Sequence, residues 1–125
     1  MRINKENYKA IGTTLRCHDS YIKKFEYDFD THSLQICLSA STFTNIECIT
    51  FEDVVCFRIT GFEPWGHDSY VFDWQYIEPD NAGAACYDII EQINSSDILK
   101  NIVFSEFVFK SGDTIRIVCK SVIVN

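Results

Sequence analysis

Two short stretches carry the side chains from which catalysis is commonly built. His18-Asp19-Ser20-Tyr21-Ile22 returns as His67-Asp68-Ser69-Tyr70-Val71, and Phe25 and Tyr27 follow the first copy at the offsets of Trp74 and Tyr76 after the second. An imidazole beside a carboxylate and a hydroxyl is the raw material of a hydrolase. Here the spacing works against it. Neighbours on an extended chain project to opposite faces, so Asp19 and Asp68 are poorly placed to orient the adjacent imidazoles. Ser20 shares parity with His18, and Ser69 with His67, but no Gly-x-Ser-x-Gly elbow exposes either hydroxyl as a nucleophile. No cysteine stands in a signature that pairs it with a histidine. The same residues suit a turn whose Asp or Ser oxygen accepts a backbone N–H as the chain enters a strand. No catalytic residue is expected.

Metal and cofactor sites are not expected either. His18, His32 and His67 lack zinc spacing such as His-x-x-x-His, and no Cys-x-x-Cys is present. The acids lack the alternation and glycine of an EF-hand loop. The five glycines are scattered and form no phosphate cradle.

Charge is more informative. A net charge of −7 argues against nucleic acid and anionic membrane as partners, because both call for a basic footprint. No Lys or Arg occurs between Arg58 and Lys100, whereas that stretch holds Glu63, Asp68, Asp73, Glu78, Asp80, Asp88, Glu91 and Asp97. A one-sign segment focuses negative potential and attracts a basic partner or cations. The competing reading is that these acids only keep the domain soluble. Trp65 lies in the loop Gly61-Phe62-Glu63-Pro64-Trp65-Gly66 and is flanked by Glu63 and Asp68. It is either an interface anchor or a lid folded back on the sheet. The partner-binding set expected from this segment is Glu63, Trp65, His67, Asp68, Asp73, Glu78 and Asp80.

The elements that must position these residues are mostly strands. The 125 residues suit one domain, and 46% hydrophobic with 14% aromatic residues is ample for its core. Ten Phe and six Tyr against two Pro and five Gly favour a pleated, half-buried surface. Residues 4–10 read as a short helix or irregular arm. Phe25, Tyr27 and Phe29 alternate with Glu26, Asp28 and Asp30, and Leu34, Ile36 and Leu38 alternate with Gln35 and Cys37. Thr31-His32-Ser33 can turn between them. Strands follow over 46–51 and 54–60, with Glu52-Asp53 as a turn or bulge, and then over 70–78. Ala85, Cys86, Ile89, Ile90 and Ile93 have helical spacing. Two final strands, 102–110 and 114–124, flank Ser111-Gly112-Asp113, a hairpin signal. Parity slips between Cys119 and Val122, which predicts a bulge near Lys120. The class is α+β: a mainly antiparallel, curved sheet of six to seven strands, forming a sandwich or partly closed barrel, with one clear helix.

The start of the chain is polar and lacks the apolar stretch of a signal peptide, and no run is long enough to cross a bilayer as a helix. A cytoplasmic address is the expectation. Six irregularly spaced cysteines fit it as free thiols, four of them in strand-like runs where a thiol packs as a small hydrophobe.

His-Asp-Ser-x-Ile leading into an alternating strand, the pattern of Ile49, Phe51, Val54, Phe57 and Arg58, and the closing run from Gly112 to Cys119 together resemble small bacterial immunity proteins. Such proteins accompany polymorphic or contact-dependent-inhibition toxins. The resemblance implies a non-catalytic protein that binds and blocks a cognate toxin domain, and a basic nuclease would suit an acidic inhibitor. Two other readings stand beside it: a β-rich domain that binds a small ligand in an interior lined by Phe and Tyr, and a hydrolase using His18 or His67.

Overall fold

The computed structural model describes residues 1–11, 20–39, 46–60, 71–77 and 101–124. Alternating sequence becomes alternating burial. Strand β2 (Ile22–Asp28) runs into β3 (Ser33–Leu38), whose Leu34, Ile36 and Leu38 are buried while Ser33, Gln35 and Cys37 are half-exposed. Strand β4 (Cys48–Glu52) repeats the pattern with Ile49 and Phe51 inside. With β1 (Arg2–Ile3) and β9 (Ser121–Val124) they form a five-stranded antiparallel sheet in the order β1-β9-β4-β3-β2. A second antiparallel sheet has the order β5-β8-β7-β6, built from β5 (Cys56–Ile59), β6 (Val71–Ile77), β7 (Val103–Phe109) and β8 (Thr114–Cys119).

The two sheets are parts of one bent ribbon. β4 pairs with β9 in the first sheet, while their continuations β5 and β8 pair in the second. On one chain the bend falls at Asp53, whose φ of 52° is left-handed. On the other it falls at Lys120, between β8 and β9. Lys120 N–H donates to Glu52 O at 3.1 Å and Val55 N–H to Val118 O at 2.8 Å, so hydrogen bonding continues around the corner. The parity slip at Lys120 is this corner: Ile115, Ile117 and Cys119 point into the core before it, Val122 and Val124 after it. Strands that change sheet at a bend are how two packed sheets turn their corners.

The core lies between the sheets. Phe51 of the first meets Phe107 of the second at 6.2 Å between ring centroids, and Trp74 stacks on Phe107 at 5.3 Å with an interplanar angle of 4°. Ile3, Ile49, Ile115, Ile117 and Val122 complete the packing. Burying such a large aliphatic or aromatic side chain contributes about 1.5–3 kcal/mol relative to leaving it exposed.

The hairpins follow their turn chemistry. Between β2 and β3, Asp28 Oδ1 accepts the N–H groups of Asp30 at 2.9 Å and Thr31 at 3.2 Å, and His32 takes a φ of 54°. Val54 N–H then donates to His32 O at 2.9 Å, which ties this turn to the corner. Between β7 and β8, Gly112 N–H donates to Phe109 O at 2.8 Å, and Gly112 has a φ of 91°, where a side chain would be strained.

The expected mainly antiparallel β architecture is present, and among the described residues it comprises nine strands in two sheets where six to seven strands, in a sandwich or partly closed barrel, were expected. The break at Asp53, expected as a turn or bulge, and the one at Lys120, expected as a bulge, are changes of sheet, and the second divides the strand expected over 114–124 in two. The described helix is a single turn, α1 (Tyr8–Ile11); the helix expected around residues 85–93 lies outside the described residues. No helix among the described residues is long and apolar enough to cross a membrane.

Candidate partner-binding surface

Of the expected contact residues, Glu63, Trp65, His67, Asp68, Glu78 and Asp80 lie outside the described residues. Asp73 is in β6, where its backbone pairs with Val108 just after an irregularity in the register at Val71–Asp73. β6 is the outermost strand of its sheet, and Trp74 beside Asp73 is core. The aromatic run from Tyr70 therefore contributes at least one side chain to packing rather than to a binding face.

Along the sequence the charge is localised. Residues 1–60 and 101–125 hold ten Lys and Arg against ten Asp and Glu, so the net −7 falls wholly on residues 61–100, with eight acids and Lys100. Around the framework the charges are locally matched. Glu106, 7% exposed on β7, accepts from Arg116 Nε at 2.6 Å, as a nearly buried carboxylate requires. Glu52 accepts from the Ser121 hydroxyl at 2.9 Å and from the Arg2 guanidinium. The Ser121 hydrogen bond first, and then Arg2, hold its carboxyl below the ordinary glutamate value.

A second feature emerged only from the fold. Among the described residues β2 ends its sheet and β5 ends the other, and ring contacts bring the two edges together. Phe57 of β5 packs against Phe25 at 5.8 Å and Tyr27 at 5.1 Å, and Tyr27 meets Phe29 edge-on at 4.8 Å. Phe29 is 80% exposed and Ile59 is 40% exposed. Aromatic side chains at such an edge have the character of interface anchors. Alternation in the sequence marks Phe25, Tyr27 and Phe29 as one face. It carries no sign that Phe57 joins them, because β2 and β5 belong to different sheets.

The groups considered for chemistry are partly in view. His18, Asp19, His67, Asp68, Ser69 and Tyr70 lie outside the described residues. Ser20 is fully buried and its hydroxyl has no hydrogen-bond partner, while Ser39 Oγ accepts from Tyr21 N–H at 3.1 Å. His32 meets the Tyr27 hydroxyl at 3.4 Å through Nδ1, on an exposed turn. Among the described residues no group of three or more His, Cys, Asp or Glu is arranged to hold a metal ion.

The cysteines require a correction. Cys37 and Cys48 form a disulfide rather than two free thiols. They are direct partners on β3 and β4, with Cα atoms 4.1 Å apart. The neighbouring pair makes the hydrogen bond from Leu38 N–H to Glu47 O, which leaves Cys37 and Cys48 at the closer, non-hydrogen-bonded position. Their outward parity, which placed them beside half-exposed Gln35 and Thr50, is what brings the sulfurs together. Cys119 is a buried free thiol, pushed far above the ordinary thiol value by burial and then by Asp53 and Glu52. It is no nucleophile. Cys56 is half-buried on β5.

The chain matches no family model, no curated protein and no solved structure.

Proposed function

We propose that this protein is an acidic binding protein that neutralises a basic protein partner, in the manner of an immunity protein blocking a cognate toxin domain. The observation that carries this reading is the confinement of the whole net charge to residues 61–100, beside a framework whose charges cancel. Charge needed only for solubility has no reason to be gathered in one segment. Gathered, it steers a partner of opposite sign and orients its approach. Glu63, Asp68, Asp73, Glu78 and Asp80 supply the field, and Trp65 and His67 supply contact area among them. A nuclease domain, basic because it holds nucleic acid, is the class of toxin such a surface fits best.

Packing among the described residues supports binding at the surface over ligand capture inside. Phe51 and Phe107 are fully buried and meet between the sheets, where an interior ligand would have to sit. The test is a pull-down with the protein encoded next to this chain, followed by co-expression. Stable capture and relief of that protein's toxicity are expected. A chain that neither binds its neighbour nor protects against it would remove the immunity reading.

A further inference from the structure

We propose that β2 is a docking edge for a second copy of this chain, paired antiparallel so that one sheet runs through both molecules. Among the described residues β2 is the outermost strand of the five-stranded sheet, and Lys23, Lys24, Glu26 and Asp28 on it are exposed. Its register with β3 is regular from Lys24 to Asp28, after the irregularity at Ile22–Lys24. That leaves five residues able to pair outward. They are basic at one end and acidic at the other, a pattern complementary to its own antiparallel copy.

Face and the overlap of the regular stretch together choose the register. Lys24, Glu26 and Asp28 oppose Cys37, Gln35 and Ser33 on the outer face, while Phe25 and Tyr27 oppose Ile36 and Leu34 on the inner. A two-fold axis normal to the sheet keeps each face continuous only if like faces meet across it. With Lys24 opposite Asp28 of the second copy, two ion pairs form on the outer face. Two Phe25–Tyr27 pairs form on the inner one, extending the aromatic strip that Phe57 already supports. Exposed Phe29 then lies opposite Lys23 of the second copy. The cost is Glu26, which meets its own copy on the axis, although Lys24 of the same strand stands 3.0 Å from its carboxylate. Shifting the strands by two residues either way leaves only three of those five regular residues paired, with Glu26 against Asp28 at the acidic end or Lys24 against Glu26 at the basic end.

This inference uses none of residues 61–100 and stands apart from the partner proposed above. Sedimentation velocity on the full chain over a wide concentration range tests it. A reversible monomer–dimer equilibrium is expected. Lys24→Glu turns two attractive contacts into two repulsive ones and should weaken association on the order of tenfold. Glu26→Gln removes the on-axis repulsion and should strengthen it by about threefold, a gain that misfolding cannot mimic. Mixing the Lys24→Glu chain with an Asp28→Lys chain should restore the pairing that each lacks alone. Asp28 also caps its turn, so circular dichroism must confirm that chain's fold, and Asp28→Asn, which keeps the acceptor, should weaken association without it. A chain that stays monomeric even as Glu26→Gln overturns the proposal, since charged edges also serve to keep sheets apart. So does a dimer indifferent to Lys24 and Glu26, or an edge shielded only when a different protein binds.

Discussion

Removing the Cys37–Cys48 bond by Cys37→Ala with Cys48→Ala should lower stability by an amount the topology sets. The bond closes a loop with a sequence separation of 11. On the chain-entropy relation such a loop is worth about 2.8 kcal/mol at room temperature, close to a hundredfold in the folded-to-unfolded ratio. Little is added by lost packing, since both residues are half-exposed on the outer face. With a urea slope of about 2 kcal/mol per molar, the midpoint should fall by about 1.4 M. The assay is urea unfolding of wild type and double variant, each with and without reductant. Reductant should bring the wild type down to the variant and leave the variant unmoved. Wild-type curves that coincide with and without reductant, in protein purified under oxidising conditions, would refute the cross-link. The result also bears on compartment. Free thiols supported the cytoplasmic expectation, and a bonded pair withdraws that support at two of the six cysteines.

Three further outcomes follow from the packing and the charges. Ser105 is 1% exposed and its hydroxyl has no partner, so Ser105→Ala should raise stability by about 1 kcal/mol in the same urea assay; a loss would mean that the hydroxyl is bonded. Cys119, buried with a raised pKa, should resist alkylation at neutral pH until the chain unfolds, while ready labelling of the native protein would contradict its place in the core. Glu52 has a lowered folded-state pKa, so its contribution is present above the ordinary glutamate value and is lost as pH falls through the lower folded value. The stability difference between wild type and Glu52→Gln should therefore shrink on acidification through that range, and curves that stay parallel would refute the Ser121–Arg2–Glu52 linkage.

Much of the fold was legible because its strands are half-buried. Leu34, Ile36 and Leu38 alternate in sequence as they do between core and surface, and Ile115 and Ile117 alternate with the half-exposed Thr114 and Arg116. The turns at His32 and Gly112 were legible, one as the polar break Thr31-His32-Ser33 between alternating runs and the other through Ser111-Gly112-Asp113, whereas the hydrogen bonds that Asp28 accepts were not. What could not be read was long-range. A break at Asp53 looks the same in sequence whether the strand bulges or passes into another sheet; only pairing with β8 and β9 distinguishes the two. The disulfide was misjudged for a related reason. Cys37 and Cys48 lie in strand-like runs, which suggested burial, but their parity is that of Gln35 and Thr50, and only the register of β3 on β4 sets them face to face. On the candidate surface the acidic run was plain from composition, whereas the joining of Phe57 to Phe25 and Tyr27 depended on two edge strands meeting across the sandwich.

The most direct test of the acidic-surface proposal is the salt dependence of association with the basic partner. Wild type is compared by stopped flow with a chain carrying Glu63→Lys, Asp68→Lys and Asp73→Lys. Acids at an interface rim act mainly on the encounter rate and are screened beyond about 10 Å at 0.1 M salt. The reversed chain should stay folded, associate on the order of tenfold more slowly at low salt, and lose most of the wild-type slope against ionic strength. A folded triple variant that binds at the wild-type rate at both low and high salt would contradict the assignment of residues 61–100 as the binding surface.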